Sequence, residues 1–388
     1  MAEVIDRVEL SGIVKVRDII LKLEKPYRLE SGEPSFDVPA HIKEAMVRAL
    51  HDNQTHYVAS AGIPELRKAI VAKCRTANGI PVASTAETIV TNGGMHALYC
   101  LFRALLEPGD EVLIPDPTWT CVQHLITLCG GVVRRVPLHE SRGWTFEPAE
   151  LQAAITPRTR ALMINSPHNP TGGVLGRADL EAIAAIVAEH PQLTIVSDEA
   201  YEHVIYDGTA HVSFAALPGM YARTASVFTC SKSYAMTGLR LGYVVTPDAQ
   251  VLDRMQKVVL YTANGVNSIA QWGGVAALTG PQDEVARFRA EYQARRDLFY
   301  AGLRDIPVFA GAPPAGAFYA FLRIADGWTA PDGRRDSWAM TEYLLGARVG
   351  SSPGVIFGPA GEGYLRFSTA CARTDLTGAL AAMRALFG

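Results

Sequence analysis

Residues 160–198, RALMINSPHNPTGGVLGRADLEAIAAIVAEHPQLTIVSD, hold two aliphatic runs, RALMIN (160–165) and LTIVSD (193–198), on either side of a helical pattern. Leu180, Ile183, Ile186 and Val187 fall on one face of that pattern, with Glu181 and Glu189 off it. This spacing predicts a core-facing crossover helix between two strands. Strand, crossover helix and strand form the unit from which parallel sheets are built. The same alternation extends outward from Glu87 to Thr246, with strands expected at ETIVT (87–91), EVLIPD (111–116), VVRRVPL (132–138), SVFTCS (226–231) and LGYVV (241–245). Pro108-Gly109-Asp110 and Gly130-Gly131 supply the turns after helices expected around 98–106 and 122–128. The expectation is an α/β fold: a mostly parallel seven-stranded sheet with helices on both faces.

Beyond about residue 280 the texture changes to a long charged helix, FRAEYQARRDLFYAGL (288–303). Strands follow near AFYAFLRI (317–324) and GYLRFS (363–368), then a closing helix. We expect residues 281–388, joined by residues 1–45, to form a smaller α+β domain beside a large domain of 46–280. Of the 388 residues, 48% are hydrophobic and 19% charged, which suits a folded globule and excludes a disordered chain. Lys plus Arg is 36 against 39 for Asp plus Glu. No basic excess exists to neutralise a run of phosphates, so nucleic acid is not expected as a partner. The six cysteines include no Cys-x-x-Cys pair and read as free thiols in a reducing cytoplasm. Glu3, Asp6 and Glu9 interrupt the amino terminus where a secretion signal needs an apolar run. No stretch of about 20 apolar residues is present to span a membrane.

In an open α/β sheet, ligands sit beyond the carboxyl ends of the strands, so the residues that follow each strand carry the interest. Asn92-Gly93-Gly94-Met95 follows ETIVT and opens a helix. It is either an ordinary tight turn or a phosphate cradle of free backbone N–H groups. It completes neither a Walker loop nor a G-x-G-x-x-G fingerprint. Trp119, after EVLIPD, is either core or a platform for a flat ring. Ser166-Pro167-His168-Asn169-Pro170-Thr171-Gly172-Gly173 is a surface loop or a stiff turn that fixes the Asn169 amide. Asp198 ends a strand expected to be central and buried, and a buried acid wants a cation. Lys232, in SKSYAMTGLR (231–240), would by default be solvated. Its apolar flanks favour partial desolvation, which lowers an amine's pKa and makes it a usable nucleophile.

Taken in order and spacing, NSPHNPTGG, SDEAYE and SKSYAMTGLRLGY resemble the pyridoxal-phosphate-dependent class I/II aminotransferases of fold type I, and most of all their bacterial aspartate-aminotransferase-like branch. SGEPSFDVP, HYVASAGIPELRKAI, PTW and PGVIFG extend the resemblance nearly end to end. It implies that Lys232 holds the cofactor aldehyde as a Schiff base and that Asp198 pairs with the pyridine nitrogen. By the same resemblance Asn169 and Tyr201 would bond the ring oxygen and Trp119 would stack on the ring. Arg240, Ser231, possibly Thr229, and the N–H groups of Gly94 and Met95 would hold the phosphate. Tyr57 resembles a tyrosine given across a dimer interface, so a homodimer with shared sites is implied. Arg366, with backbone help from Gly32, would bind the substrate α-carboxylate as a planar two-pronged cation.

The implied activity is a ping-pong exchange of an amino group between an L-amino acid and a 2-oxo acid. A lyase or synthase on the same scaffold is the alternative within enzymes. A non-catalytic cofactor-binding sensor is the alternative outside them, and it would want an added DNA-binding domain ahead of the catalytic one. Met95 stands where the aspartate-using branch has a lysine, and Leu239 where a tryptophan is usual. The lost cation weakens the case for an aspartate donor and favours a neutral, apolar, aromatic or specialised one. His96 either reaches the substrate side chain or packs on its helix face. No metal is expected.

Overall fold

The computed structural model describes residues 3–388; the first two residues of the amino-terminal segment lie outside them. The large sheet comprises β1 (Thr88–Thr91), β2 (Glu111–Asp116), β3 (Val132–His139), β4 (Thr145–Phe146), β5 (Thr159–Asn165), β6 (Thr194–Asp198), β7 (Thr224–Thr229) and β8 (Gly242–Val245). Their order is β1-β8-β7-β6-β5-β2-β3-β4. Only β8 and β4 pair antiparallel with their neighbours. All seven strands expected from the sequence are present. The eighth, β4, is a two-residue arm that returns on β3, too short to show any period in the sequence. The run expected as a strand to residue 231 stops at Thr229, and a one-turn helix, Cys230–Ser233, takes over.

The central strands are apolar throughout because both sheet faces are covered. On β2, Val112 and Ile114 face the helices Gly93–Leu105 and Cys121–Leu128, while Leu113 faces the crossover helix Arg177–Glu189. On β5, Ala161 and Met163 join the first of these layers, and Leu162 and Ile164 the second. The period-two alternation therefore sends successive side chains into two separate cores.

A second, antiparallel sheet has the order β11-β12-β10-β9, where β9 is Phe309–Ala310, β10 Tyr319–Ile324, β11 Ser352–Pro353 and β12 Tyr364–Ser368. It forms the smaller α+β domain with the helices Asp283–Leu303 and Arg373–Phe387. Leu365 and Phe367 of β12 and Ala320, Leu322 and Ile324 of β10 enter that domain's core. Alternation turns Arg366 and Tyr319 to the opposite side, where both line the central cavity. The amino-terminal segment is tied in by a bridge between Tyr27 and Val349 and by the Ser368 amide on the Leu29 carbonyl, 2.6 Å away.

Gly242 of β8 packs directly behind the turn at Gly93. A Cβ there would stand 2.8 Å from Gly93 C and 2.9 Å from both Gly94 N and Phe228 O, all backbone atoms that cannot swing away. Gly242→Ala should therefore lower folding stability by about 2 kcal/mol, in the range of overpacked cores. Urea denaturation checks this; an unchanged midpoint would show that the turn yields freely.

Candidate active site

Parallel register brings the carboxyl ends of β5, β6 and β7 level. Asn165 lies beside Asp198, and Asp198 beside Val227. A cavity of about 410 Å³ opens above this edge, closed on the far side by Arg366 and Tyr319 and flanked by Ile13 of the helix Gly12–Ile20. Gly32, Gly94, Met95, Trp119, Asn169, Asp198, Tyr201, Thr229, Ser231, Lys232, Arg240 and Arg366, singled out from the sequence, all line it. Tyr57 does not; it is 91% exposed, away from the cavity of its own chain.

The helix Gly93–Leu105 starts without a side-chain cap, so its first N–H groups remain available at the cavity wall. Gly93 takes φ +81°, and a Cβ on it would stand 2.6 Å from Nη2 of Arg240. Glycine thus allows the guanidinium to lie against the helix start. Ser231 and Thr229 share a 3.0 Å hydroxyl contact beside it. A cation, two hydroxyls and a bare helix N-terminus form a receptor for a multiply charged anion.

Asp198 is buried, and its Oδ1 accepts only the Ala200 amide at 3.1 Å. Burial, aided by Glu199 and opposed by the Ala200 amide and Lys232, pushes its pKa up to about 7. No cationic group sits on it. Lys232 is half-buried and donates from Nζ to the Gly32 carbonyl at 2.7 Å. Desolvation, then Arg366 and Arg240, lowers its pKa to about 8 against the opposing pull of Glu33 and Asp198. An amine of that pKa is still mostly charged near physiological pH, but its neutral, nucleophilic fraction is far larger than that of an ordinary lysine.

Arg366 is fully buried between two rings, its guanidinium carbon 4.5 Å from the Tyr319 centroid and 4.8 Å from that of Phe357. Nη1 donates to Asn169 Oδ1 at 3.1 Å and Nη2 to the Glu30 carbonyl at 2.7 Å, while Nε has no protein partner. The backbone N–H of Asn169 in turn donates to Asn165 Oδ1 at 2.9 Å. No carboxylate neutralises Arg366, which leaves it open to one from a ligand. The Tyr201 and Tyr319 hydroxyls meet at 2.8 Å, and burial raises the pKa of both phenols.

His96 does not line the cavity. It accepts from the Asn92 amide at 3.1 Å and meets Thr262 Oγ1 at 2.9 Å, the packed alternative. Leu239 packs on a neighbouring core. The sequence reasoning passed over Asn165, Tyr319, Ile13, Leu98, Glu33 and Thr237. Asn165 closes a strand and was open to the same strand-end argument as Asp198. Tyr319 and Ile13 reach the cavity only through tertiary packing.

A family model described as aminotransferase class I and II matches residues 24–383. The aspartate aminotransferase of Pyrococcus abyssi is 40% identical, covering 98% of this chain and 96% of its own. Aromatic-amino-acid aminotransferase 2 of Thermococcus litoralis is 38% identical over 97% of this chain and 96% of its own. The solved aspartate aminotransferase of Rhizobium meliloti superposes with a TM-score of 0.95 at 35% identity, covering 99% and 98% of the two chains. The chain belongs to the class I and II aminotransferases and is a pyridoxal-phosphate-dependent transaminase acting on amino and 2-oxo acids.

The lowered pKa of Lys232 has a thermodynamic counterpart. Above about pH 10.5 the amine is neutral folded or unfolded and contributes nothing; below about 8 it is charged in both states and the folded one bears the desolvation. Cofactor-free Lys232→Met protein should thus be more stable than wild type at pH 7, by about 1 to 2 kcal/mol after the lost Gly32 bond is offset. The gap should close between pH 8 and 10.5. Denaturant titrations across that range check it, and a variant less stable at pH 7 would contradict it.

Proposed function

We propose, on the premise of that membership, that Lys232 is the amine on which the cofactor is carried and that the other cavity residues hold it by its three ends. The donor set fits the group. Asp198 is a buried acid without a cation, which a protonated ring nitrogen would supply. Arg240, Ser231, Thr229 and the bare helix start at Gly94 and Met95 suit a phosphate. Trp119 suits the ring face, and Tyr201 with Asn169 the ring oxygen. When bound, pyridoxal phosphate supplies an aldehyde that receives the amino group and a ring that takes up electrons released at the substrate α-carbon.

Arg366 binds the substrate carboxylate through its planar fork, and Asn169, fixed by Asn165, keeps that fork in one orientation. Without cofactor, Lys232 Nζ rests on the backbone carbonyl of Gly32, within the cavity where it would meet the aldehyde. Freed from the cofactor by the substrate amine, Lys232 Nζ would be the group placed to take the α-proton and return it on the other side of the exchange. Asp198 stays ionised opposite the ring nitrogen, and Tyr319 steadies the Tyr201 hydroxyl. One 2-oxo acid leaves and another enters to reverse the sequence.

The observation that carries this reading is the meeting of a lowered-pKa amine, an unpaired buried acid and an unneutralised arginine in one cavity. Ile13, Met95 and Leu98 give the cavity an apolar wall, and among the described residues its only cations are Lys232, Arg240 and Arg366. The proposed donor is therefore neutral, apolar or aromatic. Presenting a panel of amino acids to the loaded enzyme, scored by the pyridoxal-to-pyridoxamine absorbance change, should favour phenylalanine and leucine. Lys232→Ala should abolish both the change and turnover. Aspartate outrunning the apolar donors tenfold would overturn the donor class, and an undiminished K232A rate would overturn the role of Lys232.

The proposal includes a homodimer that shares its sites, with Tyr57 lending its hydroxyl to the neighbouring cavity. Its support is the 91% exposure of this tyrosine, with Leu50 and Tyr261 exposed as well. Six free cysteines suit a reducing cytoplasm. The separate core of the carboxyl-terminal helices and strands with Leu29 suits a division at about residues 45 and 280. Sedimentation of the active, loaded enzyme should give twice the chain mass; an active monomer would refute site sharing.

A further inference from the structure

The turn that carries Asp198 and Tyr201 has a second face, which points away from the cavity into a buried charged cluster. Glu202 accepts from Lys73 Nζ at 2.5 and 2.6 Å and from Asn78 Nδ2 at 2.8 Å. Lys73 comes from the helix Pro64–Thr76, and its ammonium also stands 4.1 Å above the ring of Phe228 on β7. Side-chain exposure of the Lys73–Glu202 pair is 7% and 8%. Glu199 accepts from Ser197 Oγ at 3.1 Å and Ser213 Oγ at 2.5 Å, and lies 2.7 Å from His211 Nε2. Asn78 bridges the two acids through Ser213, 3.0 Å away. Glu199, Glu202 and His211 offer atoms within 4.8 Å of one another, but the Lys73 ammonium is already seated on Glu202 as the cluster's cation.

None of these groups reaches the cavity, so the cluster takes no direct part in the chemistry. A buried ion pair is also a poor stabiliser, since desolvation cancels much of its attraction. What it does supply is geometry. The two ends of the stretch from Glu199 to Val204 are tied to other elements, Glu199 N to Val227 O at 2.9 Å and Ala317 N to Val204 O at 2.8 Å, while its middle makes only local backbone bonds, Glu202 N to Glu199 O at 3.1 Å and Val204 N to Tyr201 O at 2.7 Å. That middle, with Tyr201 and Glu202, takes its orientation from side-chain anchors on either side. Tyr201 is fixed to Tyr319 on the cavity side, and Glu202 to Lys73 on the other.

We propose that Lys73, Glu202 and Asn78 are positioning residues that clamp the middle of the 199–204 turn from beneath and thereby aim Tyr201, beside the strand-held Asp198, at the cofactor. This rests on the cofactor site proposed above. It assigns a catalytic consequence to a helix whose residues touch neither substrate nor cofactor.

The test is the pH titration of the bound cofactor's visible absorbance in fully loaded protein, at a temperature well below unfolding. Asp198 is faced there by Glu199 and Lys232, and Tyr201 by Tyr319 and Arg366. Lys73→Met removes a positive charge and Glu202→Gln a negative one. If the pair acted only through its field, the two variants would move the midpoint in opposite directions. A clamp predicts shifts of the same sign from either, with pyridoxal phosphate bound at least tenfold more weakly. Asn78→Ala, which bares no charge, should give a smaller shift of that sign and keeps the test open if a charged variant fails to fold. Opposite shifts, or unmoved midpoints, would overturn the proposal. A wild-type protein that never binds the coloured cofactor would instead sink the site reading itself.

Discussion

A carboxyl group held at the end of a central strand, out of water and without a cation of its own, is the constraint around which this protein is arranged. Desolvation drives Asp198 toward its neutral form. The fold nonetheless places it on the crowded edge of a parallel sheet, between Asn165 and Val227, where rearrangement would break the register of three strands. Such a site is unfavourable when empty and favourable when a protonated nitrogen arrives. The same imbalance recurs at Lys232, an amine with two nearby guanidinium groups, and at Arg366, which faces no carboxylate. Each of the three lacks what the reactants bring.

The two domains divide the work by geometry. The large sheet fixes Asp198, Asn169 and Lys232 at strand ends, where rigid backbone sets direction. The small domain contributes Arg366 and Tyr319 by the simple alternation of β12 and β10, the same alternation that sends Leu365 and Phe367 into its core. Arg366 then reaches back to the large domain through Asn169. One side chain thus spans the junction and couples the small domain to the loop that carries Asn169. On the other side of the Asp198 turn the buried Lys73–Glu202 pair completes a stack of polar layers. Substrate side, cofactor side and supporting helix are joined through a few residues of irregular chain.

Much of this was visible in the one-dimensional record. The crossover pattern of 160–198 and the apolar runs around it are enough for a two-faced parallel sheet, because only a sheet covered on both sides tolerates strands as uniformly apolar as EVLIP and ALMI. Asp198 and Lys232 could be picked out because a charged residue at the tip of an apolar strand is costly unless used. The two-residue β4 escaped because two residues carry no period. Asn165 was passed over although the strand-end argument covered it. Tyr319, Ile13 and Leu98 carry no local mark at all, being ordinary apolar or aromatic residues within ordinary elements. His96 remained ambiguous until Thr262, 166 positions later, was seen to occupy its ring nitrogen.

What the chain determined by itself is periodic and local: which segments are strands or helices, which faces are apolar, and which polar residues are stranded at strand ends. Those properties follow from side-chain spacing along a backbone of fixed geometry. Only the tertiary structure decided which of the stranded residues meet, that Lys73 answers Glu202, that Arg366 is sandwiched by rings and left without a counter-ion among the described residues, and that Tyr57 does not line its own cavity. They depend mainly on contacts between residues distant in the chain, such as Lys73 with Glu202, 129 positions apart, and Arg366 with Asn169, 197 apart. Such contacts are set by the packing of whole layers, for which no short stretch of sequence carries the information.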